Sequence, residues 1–128
     1  MSKVALVARL LLGLIFFVFG LNGFLDFLPP PEPNERAGAL FGALADSGLI
    51  NLVKTVEVAT GAMLLAGFAV PLALILLAPV VVVIFYFHTV LDPAGLPIAA
   101  LVLVLNVFLG WAYRGSYSGV LDRSAKPG

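Results

Sequence analysis

Apolar residues run along this chain in long blocks, and polar residues interrupt them at only a few places. The first block extends from about Lys3 to Leu28, before DFLPPPEPNERAG. Prolines there remove amide donors and restrict their neighbours, so no helix crosses that segment. From Leu49 to Leu91 no strongly polar linker appears. As one helix this stretch would be about 65 Å long, twice the hydrocarbon thickness. It therefore folds back on itself, and GFAVP at 67–71 is the place to turn: a glycine to end one helix, a proline to begin the next. The pattern predicts four spans, over 3–28, 49–68, 71–91 and 96–113, with LDPAGLP breaking the chain before the last. In the loop 29–48, residues AGALFGALADSG predict a short interfacial helix with Leu40, Phe41 and Leu44 towards lipid. Residues 114–128 form a polar tail. Pro79 falls inside the third span and is expected to kink it.

Composition makes a bilayer the solvent. Of 128 residues, 62% are hydrophobic and only 11% charged, where a soluble domain carries roughly a quarter charged residues. A soluble helix needs a polar face, and LALILLAPVVVVIFYF at 72–87 has none. The class expected is an all-α integral membrane protein, a four-helix bundle forming one membrane domain. The start MSKVALVARLLLGLIFFVFG invites comparison with a secretory signal, but no A-x-A site follows the apolar run, so an uncleaved first span is expected.

Charge sets the orientation. Lys3 and Arg9 lie at one end, and Arg114, Arg123 and Lys126 follow the last span. Four spans bring both termini to one side, and the basic excess makes that side cytoplasmic. Zero net charge with few, scattered cations argues against a nucleic-acid partner. Without cysteine the chain offers neither disulfides nor thiolate ligands.

This topology converts position into depth. Asn22 and Asp26 approach the outer boundary on the first span, Lys54 and Glu57 descend from it on the second, and His88 and Asp92 return to it on the third. Glu57 lies about 12 Å below the outer surface by the helical rise. An ionised carboxylate at that depth must face the bundle, pair or be protonated. Lys54, three residues away, shares its face and can supply the pair. Two readings stand: Glu57 handles a ligand or proton, or it ties helices together while Lys54 snorkels outward. His88 likewise is either an interfacial anchor or part of a pocket rim, its imidazole oriented by Asp92 one turn on. No ligand spacing for a metal appears among Asp26, Glu57, His88 and Asp92, so no metal is expected.

At the inner end Arg9 can reach headgroups or the fourth span, where Asn106, Gly110, Tyr113 and Tyr117 recur as a polar seam. Gly13, Gly20 and Gly61 read as packing devices, and Trp111 as an interface anchor. Phenylalanines 16, 17, 19, 24, 27, 85 and 87 supply aromatic bulk among which a flat amphipathic ligand such as a quinone could stack.

The stretches RLLLGLIFFVFGLNGF, KTVEVATGAMLLAG and FYFHTVLDPAGLP resemble the DoxX family of small four-span bacterial membrane proteins. The resemblance covers about residues 7 to 117. It places the family's arginine at Arg9, its glycine at Gly20, its glutamate and glycine at Glu57 and Gly61, and a histidine before an Asp-Pro turn at His88. Many members continue GxxK after the first span's glycine. Here Gly20 is followed by Leu21, Asn22 and Gly23, so that lysine is missing unless Lys54 takes its place in space.

The resemblance implies a bacterial inner-membrane protein linked to quinone-dependent oxidoreduction or oxidative-stress assemblies, with a membrane or soluble redox subunit as partner. With no haem-ligation or nucleotide-binding pattern, any electron chemistry belongs to the ligand or partner, and the chain is not expected to be catalytic alone. The leading expectation is a lipid-soluble ligand in an outer-half pocket bounded by Asn22, Glu57 and His88. The alternatives are an accessory subunit without a ligand, or a small transporter enlarged by homo-oligomerisation.

Overall fold

The computed structural model describes residues 2–28 and 33–128, and it is all-helical over them. Four long apolar helices are each sufficient in length and composition to cross a membrane. They are α1 (Lys3–Leu25), α3 (Leu49–Ala66), α4 (Val70–Val90) and α5 (Leu96–Ala112), the last reaching that length together with the 3-10 turn before it, as Pro93–Ala112. Between α1 and α3 lies a short helix, α2 (Glu35–Ser47). A 3-10 turn over Pro93–Gly95 leads into α5, and a second, Arg114–Tyr117, follows it. Pro29, Pro30, Pro31 and Glu32, from the proline-rich break, lie outside the described residues.

Each boundary has a local cause. Ser2 caps α1, its hydroxyl accepting from the Ala5 amide at 3.2 Å. α1 stops at Leu25, three residues before the expected end. Asp26 takes a left-handed conformation (φ 50°) and its amide returns to the Asn22 carbonyl, while the Asn22 side chain accepts from the Leu28 amide at 2.7 Å. The α3–α4 turn closes in Schellman fashion: Gly67 at φ 71°, with the Gly67 amide on Leu64 and the Phe68 amide on Met63. Pro71 then stands in the first turn of α4, where its missing donor costs nothing. α4 continues as helix through Pro79, which is exposed on its surface.

Helices α1, α4 and α5 and the latter half of α3 share one core, with Leu12, Phe16, Leu64, Leu74, Leu77, Val81, Val102 and Leu109 buried. The tightest contact joins α1 to α3 through glycine. A Cβ on Gly61 would lie 2.5 Å from the Phe17 amide nitrogen and 2.9 Å from the Gly13 carbonyl oxygen. A Cβ on Gly13 would lie 2.9 Å from Leu64 Cβ, and one on Gly20 would lie 2.9 Å from the Val58 amide nitrogen. Small residues let these backbones touch, which is how helices gain van der Waals contact in a solvent as apolar as themselves.

The bundle has two ends. At one, the start of α1 meets the end of α5, since Lys3 and Tyr113 line the same cleft. At the other, α2 covers part of the surface: Ala37 is fully buried, Phe41 meets Phe87 edge to face with ring centres 5.2 Å apart, and the Asn34 amide donates to the Leu91 carbonyl. Phe41 thus has a protein partner as well as the exposed face expected of it. Asn34 also caps α2, accepting from the Ala37 amide at 2.9 Å, so one side chain fixes α2 to α4.

Candidate functional site

Two separate polar groups form at the end away from the termini. The first is built on the α1–α3 contact. Glu57, in the third turn of α3, is 3% exposed, and its Cβ lies beside Gly20 of α1. The buried face of α3, Glu57, Thr60, Gly61 and Leu64, is therefore the face turned to α1 in its upper part. Lys54 Nζ lies 3.0 Å from Glu57 Oε2, one helical turn away. Oε2 is enclosed, and Lys54 is its charged partner among the described residues. Thr60, buried one turn deeper, spends its hydroxyl on the Val56 carbonyl at 2.6 Å and offers nothing to the carboxylate.

Lys54 reaches this position because Gly23 lacks a side chain. A Cβ on Gly23 would fall 2.5 Å from Lys54 Cγ and 2.6 Å from Cδ. The aliphatic stem of Lys54 therefore lies in the volume that a side chain at position 23 would take. Position 23 is where the GxxK pattern would carry its lysine, and here the aliphatic stem of Lys54 lies beside it.

The second group closes the end of α4. The imidazole of His88 lies against Gly95, leaving no room there for a Cβ. Its Nδ1 is 3.1 Å from the Asp92 carbonyl oxygen and 3.8 Å from the Asp92 carboxylate. Sequence spacing pointed to the carboxylate, but the backbone carbonyl is closer because Asp92 has left the helix, at φ −145°. A carbonyl only accepts, so this contact is a hydrogen bond when Nδ1 carries the proton, which makes Nε2 of the neutral ring the acceptor. Phe87 meets the ring edge to face at 5.1 Å.

Among the described residues no hydrogen bond or ion pair joins His88 to Glu57. Asn22 and Asp26, expected at the same site, terminate α1 as described above. Among the described residues no three His, Cys, Asp or Glu side chains gather as a metal would require.

The inner polar seam divides. Arg9 and Tyr113 share a cleft, and the Arg9 guanidinium lies against Gly67 at the end of α3, where the helix dipole favours a cation. Asn106 is 8% exposed and its amide nitrogen has no partner among the described residues. Tyr117 leaves the seam, because α-helix ends at Ala112. Its hydroxyl donates to the Pro71 carbonyl at 2.9 Å, pinning the second 3-10 turn onto the start of α4, and burial raises the phenol above its ordinary range. Sequence reasoning read Gly67 only as a helix-ending turn and gave no contact to Gly23 or Gly95, yet each accepts a polar side chain from another element. Their common signal is glycine at the end of a helix or in the turn beyond it.

The family model described as DoxX matches residues 4–89. No curated protein and no solved structure matches the chain.

Proposed function

The chain belongs to the DoxX family, and on that premise we propose that it binds a small lipid-soluble ligand of the quinone class beside the Lys54–Glu57 pair, as the membrane subunit of a redox assembly. In this reading it resides in a bacterial inner membrane with both termini cytoplasmic, as the basic residues at that end suggest. The observation that carries the reading is the buried Glu57 carboxylate paired with a partly exposed Lys54 ammonium 3.0 Å away. A buried carboxylate with one partner has lone pairs left over, and filling them is worth more in hydrocarbon than in water. A quinol hydroxyl would donate to that carboxylate, and the Lys54 ammonium would donate to a quinone carbonyl. One pair thus offers both functions that the two forms of the ligand need. Access is from the Lys54 side, where its side chain keeps 23% exposure and Phe24 is exposed on α1. The electrons belong to the ligand and to the partner subunit.

The test is mass spectrometry of small molecules retained after gentle purification, alongside titration with a short-chain benzoquinone. Wild type is expected to retain or bind the quinone, and Glu57→Gln to lose it while staying folded and monodisperse. An intact Glu57→Gln protein that holds the same molecule overturns the assignment. A second reading, an accessory subunit in which the pair ties α1 to α3, draws on the glycine contacts around Glu57. It predicts no bound quinone in wild type and loss of folded protein in the variant.

A further inference from the structure

The end of the bundle that carries the termini has a feature outside the quinone reading. A cleft of about 260 Å³ is lined by Ser2, Lys3, Leu6, Arg9 and Tyr113. Beside it, sharing Lys3, runs a groove of about 390 Å³ lined by Val4, Val7, Ala8, Leu11 and Leu105. The cleft holds two cations and two hydroxyl-bearing side chains, whereas the groove beyond Lys3 has only apolar side chains.

We propose that cleft and groove together form a site for one anionic phospholipid, with its phosphate between Lys3 and Arg9 and one acyl chain along α1 towards Leu105. Three observations converge. First, Arg9 is a cation without an acid: no ion pair involves it among the described residues, and its Nε is enclosed with no hydrogen-bond partner there. A guanidinium in this state is matched by a phosphate, whose oxygens accept in the geometry of its fork. Second, the surroundings are basic. Lys3, Arg9, Arg114, Arg123 and Lys126 belong to this end or the tail beyond it, against Asp122 alone among acids. The Asp122 carboxylate is already bonded to the amide and hydroxyl of Ser124. Third, the order along α1 is that of a lipid. Ser2 and Lys3 lie at the helix start, and Val4, Val7, Ala8 and Leu11 follow at helical spacing as one stripe. That stripe descends about 10 Å into the hydrocarbon by the helical rise. Arg9 begins deeper, but its guanidinium returns to Gly67 at the end of α3, which brings its charge towards headgroup level.

The full-length protein in detergent tests this. Its thermal midpoint is followed on adding phosphatidylglycerol, phosphatidylcholine of the same chains, or inorganic phosphate. Phosphatidylglycerol is expected to raise the midpoint above the other two. Retention of that lipid in native mass spectrometry should fall about fivefold for each of Lys3→Gln and Arg9→Gln, the size of one basic residue's attraction to an anionic surface. Arg36→Gln, on α2 at the other end, should retain it as wild type does. Lys3 is exposed at the helix start, so its variant keeps the fold even where Arg9→Gln does not. Val7→Trp, which fills the groove, should reduce lipid retention with both cations in place. Equal midpoints with the two lipids overturn the proposal, as does unchanged retention in Lys3→Gln. A rise with inorganic phosphate equal to that with phosphatidylglycerol also overturns it, because the cleft would then take the anion without its chain. Quinone binding at Glu57 is read in the same preparations, so failure at one end is distinguishable from failure at the other.

Discussion

Replacing Gly61 by alanine adds one methyl group at the tightest point of the bundle. The new carbon would stand 2.5 Å from the Phe17 nitrogen, 2.9 Å from Phe17 Cα and 2.9 Å from the Gly13 oxygen. All three are backbone atoms, so no side chain can swing aside. Ordinary contact needs about 3.5–4.0 Å, and α1 and α3 must therefore part by about 1 Å along the seam that covers Glu57. A gap of 0.5–1 Å already forfeits about a quarter to a half of each contact's attraction, and overpacking of this kind costs about 1–3 kcal/mol. The control is Gly42→Ala on α2, where a Cβ meets nothing within 4 Å. There alanine gains up to about 1 kcal/mol of helix propensity. Thermal or denaturant unfolding in detergent should move the two variants in opposite directions. If Gly61→Ala unfolds within error of wild type, the backbone contact is not what holds α1 to α3, and the reasoning from small residues fails.

Three further outcomes are expected. Lys54→Met strands the Glu57 carboxylate and should destabilise the fold by about 3–5 kcal/mol, whereas Lys54→Met with Glu57→Gln should recover most of it; a double-mutant cycle in the same unfolding assay measures this. Nitrogen NMR of the single histidine should show the proton of the neutral ring on Nδ1, and Gly95→Ala should abolish that preference by displacing the ring; a neutral ring protonated mainly on Nε2 in wild type refutes the contact with Asp92. Asn106→Leu removes an enclosed amide whose nitrogen has no acceptor among the described residues and should leave stability unchanged or raise it by about 1 kcal/mol; a large loss in unfolding free energy would show that the amide is bonded after all.

The spans were legible because hydrocarbon demands long apolar runs and glycine and proline punctuate them. Gly67 and Pro71 could be read as a turn before any helix was placed. The end of α1 could not, since Phe27 and Leu28 continue the apolar pattern after the helix has stopped. What stops it is a side-chain bond from Asn22, which composition does not reveal. Tyr117 failed for a related reason: periodicity was carried past Ala112 into a 3-10 turn with another pitch. Glu57 could be assigned to the interior on cost alone, but its partner helix could not. Helices apolar on every side have no stripe that says which neighbour they prefer, and only the glycines at 13, 20 and 61 hinted at it. The displacement of Lys54 onto Gly23 depends on two helices thirty residues apart in sequence, and no local pattern contains it.

The glycine seam also bears on how the chain enters its membrane. Its two halves lie on α1 and α3, which are made at different times during synthesis. α1 carries no acidic residue and can wait in the bilayer as an ordinary apolar rod. α3 arrives later bearing Lys54 and Glu57, the least lipid-compatible stretch of any span. The earlier helix is thus a ready sheath for the later one, and the order of translation spares the charged pair from having to face the fatty acids alone.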